Sequence, residues 1–154
     1  RDTDFSMLIV PIPSEIKTDE AHAEVLSSPL FHTRLTKIDS MLKAMKKAIE
    51  NSNIATIGRL AEEDTLNLHA ITMTGRSRMV LWEPDTIKII HEVVKMRRLG
   101  LAVWYSIDTG PSVFINTFEK SAKEVKARLR QLGFENTIVS KVGGKPTLTN
   151  RHLV

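Results

Sequence analysis

Between Leu101 and Thr117 the chain reads LAVWYSIDTGPSVFINT, and few architectures accept such a segment. Val103, Tyr105 and Ile107 alternate with Ala102, Trp104 and Ser106, which is the two-residue period of a strand with two distinct faces. After the break Asp108-Thr109-Gly110-Pro111, a second β-rich run begins at Val113, Phe114 and Ile115. Strand, tight turn, strand is the reading, with Gly110 free to take a positive φ and Pro111 fixing φ where the second strand starts. Asp108 then stands at the mouth of a hairpin. It is either a turn aspartate bonded to nearby backbone N–H groups, or a carboxylate that two rigid elements present to a cleft.

The remaining elements must supply partners for that hairpin. Phe5 to Ile12 is apolar enough for a central strand, ended by Pro11 and Pro13. Asp19 is placed to cap a short helix running through Leu26. Ser28-Pro29 reads as the start of a long helix, on which Leu35, Ile38, Leu42, Met45 and Ile49 form one apolar stripe. Asn53 caps the next helix, whose expected inner line is Ile54, Ile57, Ala61, Asp64, Leu68 and Ile71. Asp64 interrupts that line, so it either reaches a donor such as His69 or marks a face that opens onto a cleft. Asn67 and His69 are read as supports for a site nearby.

Gly75 ends that helix, and Glu83-Pro84-Asp85 opens another with Ile87, Ile90, Val94 and either Met96 or Arg97 inward. Gly100 closes it before the hairpin. Ala122, Val125, Leu129 and Leu132 mark a last helix ended by Gly133, and Asn136 to Val142 a last strand. Strand, helices, strand, strand, helix, strand is an α+β order. It is the ferredoxin-like split βαβ plan, with extra helices in the first crossover and an antiparallel four-stranded sheet carrying its helices on one face.

Charge and composition narrow the partners. The 154 residues suffice for a single domain, and no apolar run approaches a membrane span. Net charge is +4 with a pI of about 9.5, but the cations are interleaved with acids and aromatics are only 5%, so neither nucleic acid nor membrane is an expected partner. There is no cysteine, which fits a cytoplasmic protein, and His22, His32, His69, His91 and His152 form no metal-ligand spacing. Gly143-Gly144-Lys145-Pro146 lacks the spacing of a phosphate loop.

Four pieces in order carry a family resemblance: SSPLFHTRL at 27–35 with the following KAMKKAIENSN, EEDTLNLHA at 62–70, WEPDT at 82–86 and YSIDTGPSVF at 105–114. Through them the chain resembles the C-terminal domain of the mevalonate diphosphate decarboxylase family, within the GHMP kinase superfamily. Family members carry D-A-G-P-N at the turn, so Asp108, Gly110 and Pro111 match while Thr109 and Ser112 depart. The resemblance implies that Asp108 is the catalytic aspartate and that Thr109, Gly110 and Ser112 border the substrate. A serine-rich phosphate-binding segment of the family falls at Lys17 and Thr18, which would hold an anion through different donors.

The implied reaction is phosphorylation of the 3-hydroxyl of a phosphorylated mevalonate by ATP, followed by joint loss of phosphate and CO2 to leave an alkene. The changed segment at Lys17 brings in the archaeal variant that decarboxylates mevalonate 3,5-bisphosphate without ATP. ATP with magnesium is expected to bind through an N-terminal phosphate-loop domain. The chain opens at Arg1 without methionine and reads as a fragment lacking that domain and inactive alone. Homodimers are expected from the family. The competing class is a non-catalytic ferredoxin-like module that binds a small molecule or RNA.

Overall fold

The hairpin forms as the alternation requires. In a computed structural model, which describes residues 4–144 and Leu148, β2 (Val103–Ser106) and β3 (Val113–Phe118) pair antiparallel with Tyr105 opposite Ile115. β1 (Phe5–Val10) lies on the other side of β3, with Leu8 opposite Ile115, and β4 (Ile138–Lys141) pairs antiparallel to β1. The strand order β2-β3-β1-β4 is that of the ferredoxin-like plan. The last strand is thus shorter than Asn136 to Val142, and the expected turn at 143–146 lies partly outside the described residues.

The pleat sorts residues onto two faces. Leu8, Val10, Val103, Tyr105, Ile107, Val113 and Ile115 share one face and are buried. Against them pack Ile89, Val93 and Met96 of α4 (Pro84–Arg98) and Ala122, Val125 and Leu129 of α5 (Glu119–Gln131). At roughly 1.5–3 kcal/mol for each fully buried large apolar side chain, this layer is the main source of stability. The inward face of α4 is turned partly from the one expected: Met96 is buried and Ile90 packs on the core as read, but Ile89 and Val93 are buried and Ile87 is exposed. Both phases fit the doubled Ile-Ile and Val-Val pairs, and a hydrogen bond from Thr86 to the Pro111 carbonyl selects one.

The expectation that all helices share one face does not hold. Following α1 (Thr18–Val25) and α2 (Phe31–Glu50), α3 (Ile54–Met73) runs along the free edge of β2. Its side chains satisfy the backbone groups an edge strand leaves unpaired. Glu62 accepts from the Tyr105 N–H at 3.3 Å, and Thr65 bonds both backbone groups of Ile107. Arg97 of α4 joins them, bidentate to Glu62 at 2.9 Å and donating to the Val103 carbonyl at 3.4 Å. The buried residues of α3 are Ile54, Gly58, Leu60, Thr65, His69, Ile71 and Thr72, so Ile54 and Ile71 lie inward as expected, while Ala61, Asp64 and Leu68 line an open hollow. Gly58 lets the Trp104 ring lie against the helix, since a Cβ there would sit 2.5 Å from the ring.

The stripe on α2 also departs from expectation. Among the residues of α2 only Ala48 is buried, and Leu35, Leu42 and Ile49 are 49%, 61% and 59% exposed. This helix packs chiefly on α3 and turns its apolar side to the hollow.

Local starts shift as well. Lys17, not Asp19, is the N-cap of α1, and it makes no side-chain cap bond. Ser28 and Pro29 form a turn ahead of α2, with the Ser28 hydroxyl accepting from the Leu30 N–H at 3.1 Å. Asn53 caps α3 as anticipated, accepting from the Thr56 N–H at 3.0 Å. Gly100 and Gly133 take φ of 93° and 97° after their helices, but Gly110 is not left-handed and its turn is a longer open bend.

Candidate active site

Pairing of β2 with β3 stops at Ser106 and Phe114, so the peptide chain leaves the sheet at Ile107 and re-enters it at Val113. Side chains from three directions hold this connection. The Thr65 hydroxyl accepts from the Ile107 N–H at 2.9 Å and donates to the Ile107 carbonyl at 3.3 Å. The Thr86 hydroxyl donates to the Pro111 carbonyl at 2.8 Å while accepting from the Glu83 N–H, which also caps α4. Ser112 accepts from the Ile12 N–H at 3.0 Å and donates to the Ile12 carbonyl at 3.3 Å, tying the turn to the end of β1. Thr65 and Thr86 are buried. Asp108 is exposed between these ties.

Two hollows meet at Asp108. One, of about 410 Å³, has mostly apolar walls that include Ile38 and Leu42 of α2, Leu60 and Leu68 of α3, and Phe114. The other, of about 250 Å³, is shallower and bordered by Ile12, Thr18, Thr109, Gly110 and Ser112. Asp108 and Phe114 border both. The Thr109 hydroxyl reaches the Thr18 hydroxyl at 3.4 Å, so the start of α1 closes over the turn. No atom lies within 4 Å of the position a Cβ on Gly110 would take, which leaves its backbone open to close approach.

The residues singled out from sequence divide into three groups. Asp108, Thr18, Thr109, Gly110 and Ser112 come together, although the Ser112 hydroxyl is already engaged by the Ile12 backbone. Lys17 is exposed at the cap of α1 and borders neither hollow. Asp64 borders the apolar hollow and meets Arg34 at 2.6 Å, an ionic contact with a side chain the sequence did not flag. Asn67 faces away, donating to the Glu63 carbonyl at 2.9 Å beside Arg34 and Lys37.

His69 lies behind the turn, 1% exposed, with its ring 4.8 Å from that of Trp82. Neither ring nitrogen has a hydrogen-bond partner among the described residues. Burial pushes its pKa down to about 4, against a smaller upward pull from the Ile107 and Asp108 backbone and the Asp108 charge, so the ring is neutral near pH 7. Thr65, Thr86 and Trp82 escaped the sequence reading. The one available signal was the spacing of Thr65 and His69, four apart on one helical face.

Among the described residues, no three His, Cys, Asp or Glu side chains are grouped to hold a metal ion, and no helix is long and apolar enough to cross a membrane.

Comparison with known proteins places this geometry. Residues 17–150 match the family model described as the mevalonate 5-diphosphate decarboxylase C-terminal domain. A phosphomevalonate decarboxylase of Haloferax volcanii is 36% identical over 142 residues, covering 92% of this chain and 44% of that protein. A mevalonate 3,5-bisphosphate decarboxylase of Thermoplasma acidophilum is 27% identical over 113 residues, 73% of this chain and 27% of that protein. A solved structure described as the mevalonate diphosphate mediated ATP binding mechanism of the Enterococcus faecalis mevalonate diphosphate decarboxylase superposes with a TM-score of 0.82 at 19% identity. It covers 90% of this chain and 43% of that one. The chain therefore spans less than half the length of these proteins.

Proposed function

The chain belongs to the mevalonate 5-diphosphate decarboxylase family as its C-terminal domain, and from that premise we propose that it supplies the catalytic carboxylate of an enzyme that decarboxylates a phosphorylated mevalonate. One observation carries the reading: a backbone fixed on both sides presents Asp108 where an apolar hollow meets a hydroxyl-bordered one. Asp108 orients the substrate's 3-oxygen and, once that oxygen is phosphorylated and leaves as phosphate with the electron pair of its bond to C3, its charge offsets the positive charge developing at C3. The electron pair of the bond to the leaving CO2 becomes the new double bond. The apolar walls keep water from the reacting carboxylate, which favours the neutral product. Thr18, Thr109 and the open backbone at Gly110 border the more polar end.

ATP, where it is used, belongs on an N-terminal domain outside this chain. Homodimerisation, implied by the family, is part of the same proposal and is read by sedimentation of the full-length protein.

Relatives named for three phosphorylation patterns bear on the substrate. The 36% identity with a phosphomevalonate decarboxylase supports mevalonate 5-phosphate. The Lys17-Thr18 segment and the relative from Thermoplasma acidophilum keep the 3,5-bisphosphate as a second reading. The match through residues 17–150 supports an enzyme rather than a non-catalytic binding module. The test is CO2 release by the full-length protein from mevalonate 5-phosphate, 5-diphosphate and 3,5-bisphosphate, each with and without ATP. Turnover of the 5-phosphate with ATP is the expected result. ATP-independent turnover of the bisphosphate replaces it with the second reading, and no CO2 from any of the three overturns the proposal.

A further inference from the structure

We propose that Thr65 is a positioning residue for Asp108, its buried hydroxyl setting the direction in which that carboxylate leaves the sheet. The inference rests on the catalytic reading of Asp108. Among the described residues no donor holds the Asp108 carboxylate, so its aim comes from the backbone that carries it. That backbone has just left the ladder, since Ser106 opposite Phe114 is the last β2–β3 pair. Ile107 therefore lacks a strand partner, and Thr65 takes the place of one by bonding both its N–H and its carbonyl.

The other edge contacts are farther from the turn: Glu62 to the Tyr105 N–H is 3.3 Å and Arg97 to the Val103 carbonyl 3.4 Å, against 2.9 Å and 3.3 Å for Thr65 to the Ile107 N–H and carbonyl. Thr65 is 3% exposed on the long helix α3, so its hydroxyl meets Ile107 in a packed site closed to water. Thr86 holds the far end of the turn at Pro111, but it also caps α4, which makes Thr65 the cleaner position to test.

Thr65→Val keeps the shape and removes both bonds. In the full-length protein, with folded fraction checked by circular dichroism, it lowers kcat for CO2 release about ten- to a hundredfold with KM little changed, as small misplacements of a reacting group do. Thr65→Ser keeps the hydroxyl and restores most of the rate. Added to Asp108→Asn, Thr65→Val costs nothing further, because the group it aims is already gone. Should the valine variant not fold, Thr65→Cys, with a weak donor of similar size, is read the same way. A folded Thr65→Val or Thr65→Cys enzyme with near-normal kcat overturns the inference, as does an undiminished further loss in the Asp108→Asn background. Near-normal turnover by Asp108→Asn alone removes the catalytic reading itself, which is a different failure.

Discussion

A carboxylate at the end of a strand, an open glycine and a buried imidazole are the side-chain facts on which the site turns. The position of Asp108 was legible, because alternation from Val103 to Ile107 fixes where the strand ends. The part played by Thr65 was not, because a threonine among apolar helical positions carries no sign of what its hydroxyl meets. Gly110 yields the first prediction. Its φ is not left-handed and a Cβ meets nothing, so Gly110→Ala raises the thermal midpoint slightly by restricting the unfolded chain. If substrate approaches that backbone, KM rises several-fold with the fold intact; an unchanged KM removes Gly110 from the binding surface.

His69 yields the second prediction. Its folded pKa is about 4 and its ordinary value 6.5. Above pH 6.5 both folded and unfolded chains hold a neutral ring and the residue contributes nothing. As pH falls below 6.5 the unfolded chain takes a proton that the native state does not, so stability declines until the folded ring protonates near pH 4. The loss is at most a few kcal/mol, since each pH unit separating the two values is worth roughly 1.4 kcal/mol. Urea midpoints between about pH 7 and about pH 4.5 should fall less steeply for His69→Gln than for the parent, and parallel slopes would contradict the assignment.

At the scale of elements, sequence periodicity succeeded where a helix meets a sheet face and failed where one meets a sheet edge. The inner line of α5 through Ala122, Val125 and Leu129 came out as read. On α3 the expected line holds at its two ends, where Ile54 and Ile71 are buried, and fails between them. A helix beside an edge strand faces unpaired N–H and carbonyl groups, so its middle buries Gly58, Thr65 and His69, while Ala61 and Leu68 are turned to the hollow. On α2 the periodicity was real, but Ile38, Leu42 and Met45 of its stripe face the same hollow instead of a core, and Leu35 and Ile49 are exposed.

Gly58 tests the edge packing. Alanine in a helix interior is favoured over glycine by about 1 kcal/mol, yet a Cβ here lies 2.5 Å from the Trp104 ring. Overpacking of a fitted contact costs about 1–3 kcal/mol, so the clash wins and Gly58→Ala lowers the denaturation midpoint. A raised midpoint would mean that α3 does not pack on β2 as described.

For the molecule as a whole, the order of elements and the central place of β1 were legible, the latter from its apolar content. The placement of α2 and α3 was not, since nothing in their own patterns tells an edge from a face. The functional consequence is a two-sided arrangement. A conventional core of α4, α5 and one sheet face supports the strands, and an apolar hollow between α2, α3 and the hairpin adjoins Asp108 on the other side. The central claim is that Asp108 carries the chemistry. Asp108→Asn in the full-length protein keeps size and turn-forming ability and removes only the charge. Steady-state CO2 release, with circular dichroism confirming the fold, should show kcat lower by about 10²–10³-fold. A folded Asp108→Asn enzyme turning over at near the parent rate would reduce Asp108 to a turn residue and contradict the account.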